Sequence, residues 1–391
     1  MFYQQFTTSY ETHTRVIMGL NCIEELTGEL GYYKAKNVFV ISGPNVSQTG
    51  FYKKCIGYVE KAGCNYLTFN EVEKEAPVRN VETVHALLEK NKSDFVIAIG
   101  GGSVIDVAKV ACVLATNGGK AQDWAGYEKY STPPVPFFVI PTTAGTSSEV
   151  TNMGIIHDEE TNVKFSVGHK EHGSAKVAFL DGYSLASCPR AVIAQAGIDA
   201  FSHCFESFIS LKANPMTDAM ALQGIRLISR NLRLVYGNNE NALAALDLLA
   251  GSTMGGMAFS TTGTGNGHCV GRHLGPKFNI DHGISIALVL PAVARFNFPA
   301  QMEKYRQVAQ AMDLNIEGLS LAEVGEVVVD AIKKLIRDMG ITQTLADFNP
   351  TTEDIEELAQ DSHKAYLAHY KQRNPAKMSV KDYIGLLEDC R

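Results

Sequence analysis

The chain has 391 residues, 45% of them hydrophobic and 20% charged, with a net charge of −7 at neutral pH. That length exceeds what one ordinary core organises, so two domains are expected. A modest acidic excess without a dense lysine or arginine run excludes a polyanion-binding surface and points to a small-molecule partner, with no nucleic acid and no membrane.

Taken in chain order, the opening segment MFYQQFTTSYETHTRV lacks the basic head and apolar stretch of an export signal, and no apolar run approaches the ~20 residues of a bilayer span. The eight cysteines form no CxxC pair, in keeping with reduced thiols. A cytoplasmic protein is expected. Next come NVFVIS (37–42), FVIAIG (95–100), PFFVIP (136–141) and KVAFLD (176–181), short β-branched runs without polar alternation. Parallel strands covered by helices on both faces read this way. Between them FYKKCIGYVEKAG and VETVHALLEKNK carry apolar residues at helical spacing. Residues 1–187 are therefore expected to form a doubly wound, mostly parallel α/β domain. After SLASCPRAVIAQAG long helical patterns take over, so residues 188–391 are expected to form an all-helical domain.

Two turns and one cluster carry chemistry. FVIAIGGGSVIDVAKV ends a strand in three glycines and opens a helix at Ser103, where backbone N–H groups and the helix dipole attract a pyrophosphate. An ordinary tight strand-to-helix turn has the same composition, and the spaced dinucleotide fingerprint is absent. IPTTAGTSSEVT crowds hydroxyl side chains between Thr142 and Thr151 after the next strand, where ligands of open α/β sheets bind or where hydroxyls cap a helix. In AGIDAFSHCFES, Asp199 and His203 stand four residues apart on one helix face, while His268 and His282 follow fourteen residues apart. One carboxylate and three imidazoles suit one divalent ion, Fe²⁺ or Zn²⁺; an isolated Asp/His pair is also a common surface ion pair.

The blocks GGGSVIDVAK, PTTAGTSSEVT, AGIDAFSHCFESFIS, ANPMTDAMAL, GMAFS and HGISIALVLP, in this order, resemble the iron-dependent (group III) alcohol dehydrogenase family. The resemblance implies a nucleotide domain, a helical metal domain and an active site in the cleft between them, and a homodimer or larger homo-oligomer. It implies Asp199, His203, His268 and His282 as metal ligands and NAD(H) or NADP(H) as cofactor. Gly101, Gly102, Ser103 and Asp106 would belong to the pyrophosphate turn; Thr142, Thr143 and Thr151 would make cofactor contacts, with Lys164 near the nicotinamide ribose. Phe259 would line the substrate pocket. The ion would act as a Lewis acid on the carbonyl while hydride passes to or from the nicotinamide. A dehydroquinate-synthase-like cyclase shares the architecture but needs several basic residues for a substrate phosphate.

The chain departs from the resemblance at HCVGRHLG, where many members read HxxxHPLG: Arg272 stands at the second histidine and His273 at the proline. Arginine does not titrate in the working range, and its planar fork suits a carboxylate, phosphonate or sulfonate. The alternative is that Arg272 faces a domain-interface carboxylate. His273 either takes over a proton relay or is a solvated loop histidine. Upstream, TTGTGNGH puts Thr264, Asn266 and Gly267 where relatives carry hydrocarbon, which predicts a polar, roomy pocket. The expected substrate is a short anionic aldehyde, sulfoacetaldehyde (giving isethionate) first, then phosphonoacetaldehyde or succinate semialdehyde; neutral short alcohols or diols are the alternative. Gly43 stands where many NAD-using members have aspartate, which admits NADP without selecting it.

Overall fold

The computed structural model describes residues 7 and 9–391 of the chain. It divides into two compact units, one built on Thr12–Pro189 with Asn238–Ala250, the other on Arg190–Gly237 with Gly251–Arg391. The expected boundary near residue 187 lies close to this division, but the segment Asn238–Ala250 returns to the first unit and residues 9–11 group with the second.

The first unit contains strands β1 (Arg15–Gly19), β2 (Asn37–Ser42), β3 (Asn65–Phe69), β4 (Phe95–Gly100), β5 (Gly126–Tyr127), β6 (Phe137–Pro141), β7 (Met153–Asp158), β8 (Val163–Gly168) and β9 (Val177–Asp181). Six of them form a parallel sheet in the order β1-β9-β6-β4-β2-β3, and β5-β8-β7 form a small second sheet. Helices α1 (Leu26–Tyr32), α2 (Gly50–Lys61), α3 (Val78–Lys90) and α4 (Gly102–Asn117) cover the main sheet. Successive strand residues point to opposite faces. Phe39, Ile41, Val96 and Ala98 accordingly pack with Val81, Val84 and Val107 of α3 and α4. Val38, Val40, Ile97 and Ile99 pack with Leu26, Leu30, Cys55 and Val59 of α1 and α2.

The strand order reverses around β2, which pairs with β3 on one side and β4 on the other. Ligands of open parallel sheets bind at the carboxyl ends of strands at such a reversal. Gly43 follows β2 there and Gly101 follows β4.

The second unit is helical: α5 (Arg190–Ile209), α6 (Pro215–Gly237), the later part of α7 (Ala242–Thr262), α8 (Asn266–Phe278), α9 (His282–Asn297), α10 (Met302–Ala311), α11 (Leu321–Asp338), α12 (Thr352–Ala365) and α13 (Val380–Glu388). In α11, Val324, Val328, Val329, Ile332, Leu335 and Ile336 make one buried stripe, and a Ser320/Glu323 capping box starts the helix. The sequence expectation about apolar runs needs correction. Ala242–Thr262 and His282–Ala300 are long and apolar enough to cross a bilayer by length and composition, but more than half of each apolar window is buried inside the protein, as in core helices.

Candidate active site

Helix α5 is buried over most of its length, so each polar side chain it carries needs a partner. Asp199 and His203, one turn apart, leave buried polar atoms without a hydrogen-bond partner: Asp199 Oδ1 and His203 Nδ1, joined by Nε2 of His268 from α8. The Nε2 atoms of His268, His282 and His203 stand 3.3, 3.7 and 3.8 Å from Asp199 Oδ1. Ligand atoms about 2.1 Å from a tetrahedral ion are roughly 3.4 Å apart. Asp199, His268 and His282 each bring one ligand atom within 4.8 Å of the others, and His203 joins through Asp199. Three side chains are 5–7% exposed while that of His282, first residue of α9, is 42% exposed, so the set is closed on one side and open on the other.

The charge balance also fits a cation. Burial works against the charge of Asp199, yet the imidazoles of His203, His268 and His282 hold its carboxyl far below the usual range. Burial pushes His203 down to about 4. Burial opposes the charge of His268 too, but the carboxylates of Glu206 and Asp199 raise it to about 9.

Glu206, on α5 one turn after His203, was not singled out in the sequence. It is 2% exposed and its Oε2 lies 2.6 Å from His268 Nδ1. The backbone N–H groups of Gly265 and Gly267 donate to the same carboxylate at 3.0 and 2.5 Å. Its signal was a carboxylate at helical spacing from His203 inside an apolar stretch.

This contact corrects the expectation of a polar pocket built by residues 264–267. A Cβ at position 267 would meet Glu206 Oε1 at 2.6 Å, so this glycine is needed for close approach to Glu206 and not for substrate space. Asn266 is fully buried: its Oδ1 accepts from Tyr383 Oη at 3.0 Å, its Nδ2 contacts Met378 Sδ, and its N–H donates to Asn374 Oδ1 at 3.3 Å. It is a core residue.

Phe259 packs its ring on His203, centroids 4.4 Å apart. Arg272 lies on α8 four residues after His268, hence on the same face, and long helical side chains lean back toward the preceding turn. Its Nη1 donates to Tyr370 Oη at 3.3 Å, and among the described residues no carboxylate pairs with it. His273 sits about 140° around the helix from His268. That angle puts it off the helix face shared by His268 and Arg272; burial lowers its pKa, against the pull of Asp361.

At the nucleotide turns, a Cβ at Gly101 would lie 3.1 Å from Thr143 Oγ1 and one at Gly102 2.6 Å from Thr146 Oγ1, so the glycine turn and the hydroxyl turn touch. Thr142 is buried and its N–H donates to Gly100 O at 3.1 Å. Asp106 and Thr151 are engaged within the protein. Asp106 Oδ1 accepts from Ser148 Oγ at 2.5 Å. Lys109, another residue missed in the sequence, donates to Ser148 Oγ, Thr151 O, Thr151 Oγ1 and Met153 O at 2.9–3.0 Å. These side chains fasten the hydroxyl turn to α4. Lys164 pairs with Glu75 at 3.3 Å, and the Glu75 N–H donates to Ser103 Oγ at 3.0 Å, which brings the lysine near the start of α4. Gly43 leaves room: a Cβ there would find its nearest neighbours at 3.4 and 3.9 Å.

Residues 13–182 match the iron-containing alcohol dehydrogenase family, and residues 193–390 match the C-terminal part of the Fe-containing alcohol dehydrogenase family. The chain is 35% identical over 318 residues to 1,3-propanediol dehydrogenase of Klebsiella pneumoniae, covering 81% of this chain and 82% of that one. It is 30% identical over 379 residues to sulfoacetaldehyde reductase of Bilophila wadsworthia, covering 96% and 97%. A crystal structure of a 1,3-propanediol oxidoreductase superimposes with a TM-score of 0.93 at 31% identity, over 99% of this chain and 100% of that one. With both halves matched and relatives aligned over most of its length, the chain belongs to the iron-containing alcohol dehydrogenase family.

Proposed function

We propose that this metal-dependent alcohol dehydrogenase/aldehyde reductase acts on a short aldehyde with an anionic head group, sulfoacetaldehyde in first place, ahead of phosphonoacetaldehyde and succinate semialdehyde. The observation that carries the reading is Arg272: one helical turn from His268, on the same face, bound to a single neutral hydroxyl and to no carboxylate among the described residues. A guanidinium so placed forms charge-assisted hydrogen bonds with a sulfonate, phosphonate or carboxylate and orients the far end of the substrate.

Asp199, His203, His268 and His282 would hold one divalent ion, which supplies Lewis acidity toward the carbonyl when bound. Glu206 orients the ring of His268, and Phe259 fixes that of His203. The start of α4 and the adjoining hydroxyl turn would hold the pyrophosphate of a nicotinamide nucleotide through backbone N–H groups. Gly43 offers no carboxylate to the adenosine ribose, so both NADH and NADPH are accepted.

NADH oxidation with a panel of aldehydes, before and after chelation, tests the assignment. The anionic aldehydes are expected to be preferred, chelation to abolish turnover, and Arg272→Ala to lower kcat/KM for them roughly tens to hundreds of fold. A second reading, a neutral diol or its aldehyde, is supported by the relatives named for 1,3-propanediol. It takes over if the neutral compounds are preferred and Arg272→Ala leaves kcat/KM for the anionic aldehydes unchanged.

A further inference from the structure

The segment joining α7 to α8 is tied to the metal-ligand histidines at both ends. Phe259 packs on His203, Gly263 N–H donates to Phe259 O at 2.7 Å, and Gly265 and Gly267 hold Glu206, which holds His268. On this segment rests the guanidinium of Arg373. Gly263 has φ +67°, and a Cβ there would stand 2.7 Å from Arg373 Cζ and 2.8 Å from its Cδ, so only glycine lets the arginine lie this close.

Among the described residues the guanidinium makes no hydrogen bond or ion pair. The turn that carries Arg373 is held by main chain: its N–H donates to Tyr370 O at 2.8 Å, and its carbonyl accepts from Leu211 N–H at 2.8 Å and Ser210 Oγ at 3.2 Å. Among the described residues no carboxylate or carbonyl accepts a hydrogen bond from the Arg373 side chain, although the chain as a whole carries a net charge of −7. Tyr370, whose backbone carbonyl anchors Arg373, is the same residue whose hydroxyl meets Arg272. Two arginines thus border the metal-ligand segment through one tyrosine, and among the described residues no carboxylate pairs with either.

Resting on the anionic-aldehyde reading above, we propose that Arg373 is a second guanidinium for the same head group and that, with Arg272 and the Tyr370 hydroxyl, it sets the preference for an anionic over a neutral aldehyde. Guanidiniums from two different elements supply N–H groups from separate directions to an oxyanion with several acceptor oxygens.

The test uses the metal-loaded enzyme and its Arg373→Ala, Arg373→Lys, Arg272→Ala and Lys371→Ala variants, the last an exposed neighbour that serves as control. Two readouts are compared: the ratio of kcat/KM for sulfoacetaldehyde to that for propanal, and the rise in Tm on adding ethanesulfonate, which carries the head group without a reactive carbonyl. Arg373→Ala is expected to lower the ratio roughly tenfold or more, mainly through KM, and to remove most of the Tm rise. Arg373→Lys, which keeps the charge but not the fork, is expected to fall between, and it decides the matter should the alanine variant fail to fold. Lys371→Ala is expected to match the parent. A loss in Arg272→Ala with none in either Arg373 variant overturns this inference and leaves the anionic reading standing; parental ratios in all the arginine variants overturn both.

Discussion

His268 and Glu206, 62 residues apart in the chain, meet through a 2.6 Å contact between Nδ1 and Oε2, on the side of the imidazole opposite Asp199. A carboxylate there fixes the tautomer, so that Nε2 presents its lone pair toward an ion, and it raises the basicity of the ring. Glu206→Gln keeps the volume but not the charge. Metal affinity is expected to fall roughly 10- to 100-fold, measured by chelator competition, with activity largely restored at excess metal. Parental affinity in the variant would separate Glu206 from metal binding.

Gly267 and Gly43 make a matched pair. A Cβ at 267 meets a buried carboxylate oxygen at 2.6 Å, whereas one at 43 finds only ordinary contacts at 3.4 and 3.9 Å. Gly267→Ala is therefore expected to destabilise the fold by about 1–3 kcal/mol and to weaken metal binding by displacing Glu206. Gly43→Ala should leave stability within about 0.5 kcal/mol of the parent. Thermal unfolding of both variants checks the contrast, and equal losses would mean that close approach at 267 is not what requires glycine.

Much of this was legible before the structure. β2 and β4 cover 37–42 and 95–100, as their β-branched runs indicated, because strands covered on both faces need no polar alternation. β3, β7 and β8 escaped notice because their exposed and buried positions mix and their pairing partners are set by tertiary contacts. Asp199 and His203 announce themselves by a four-residue step, while Glu206, Tyr370 and Arg373 act across contacts 59 to 163 residues long that no local pattern records. Asn266 was misread for a related reason: a polar residue beside a metal histidine looks the same whether it faces substrate or, as here, Tyr383 and Met378 in the core.

The cofactor preference is open to redesign at one position. An aspartate at 43 would stand at the carboxyl end of β2, beside the point where the strand order reverses, with space for its side chain. It would accept hydrogen bonds from the adenosine ribose and repel a 2′-phosphate. Gly43→Asp is expected to weaken NADPH binding by at least about tenfold and to tighten NADH binding about threefold; the order of magnitude follows from like charges held a few ångströms apart near a protein surface. Fluorescence titration with the two nucleotides measures both constants. Unchanged NADPH affinity would place the adenosine ribose elsewhere.

Lys109 gives a pH dependence whose sign can be worked out. The residue is 3% exposed, and burial pushes its ammonium down to about 8, against the opposing pull of Asp106 and Glu149. In the unfolded chain a lysine titrates near 10.4. Below pH 8 both states hold the proton and the group contributes no slope. Between about 8 and 10.4 the unfolded chain binds a proton that the folded protein has released, so stability rises with pH through this window, by up to about 3 kcal/mol. Buried cysteines pushed up to about 12, such as Cys188, oppose this slope in the same range, so the parent alone does not isolate it. Lys109→Met keeps an unbranched stem and removes the titration. The stability of the parent minus that of Lys109→Met, from chemical unfolding at each pH, is expected to stay level up to pH 8 and then climb by up to about 3 kcal/mol. A difference that stays flat to pH 10.4 would mean that Ser148, Thr151 and Met153, which accept from Lys109 at 2.9–3.0 Å, hold its proton in the folded protein throughout.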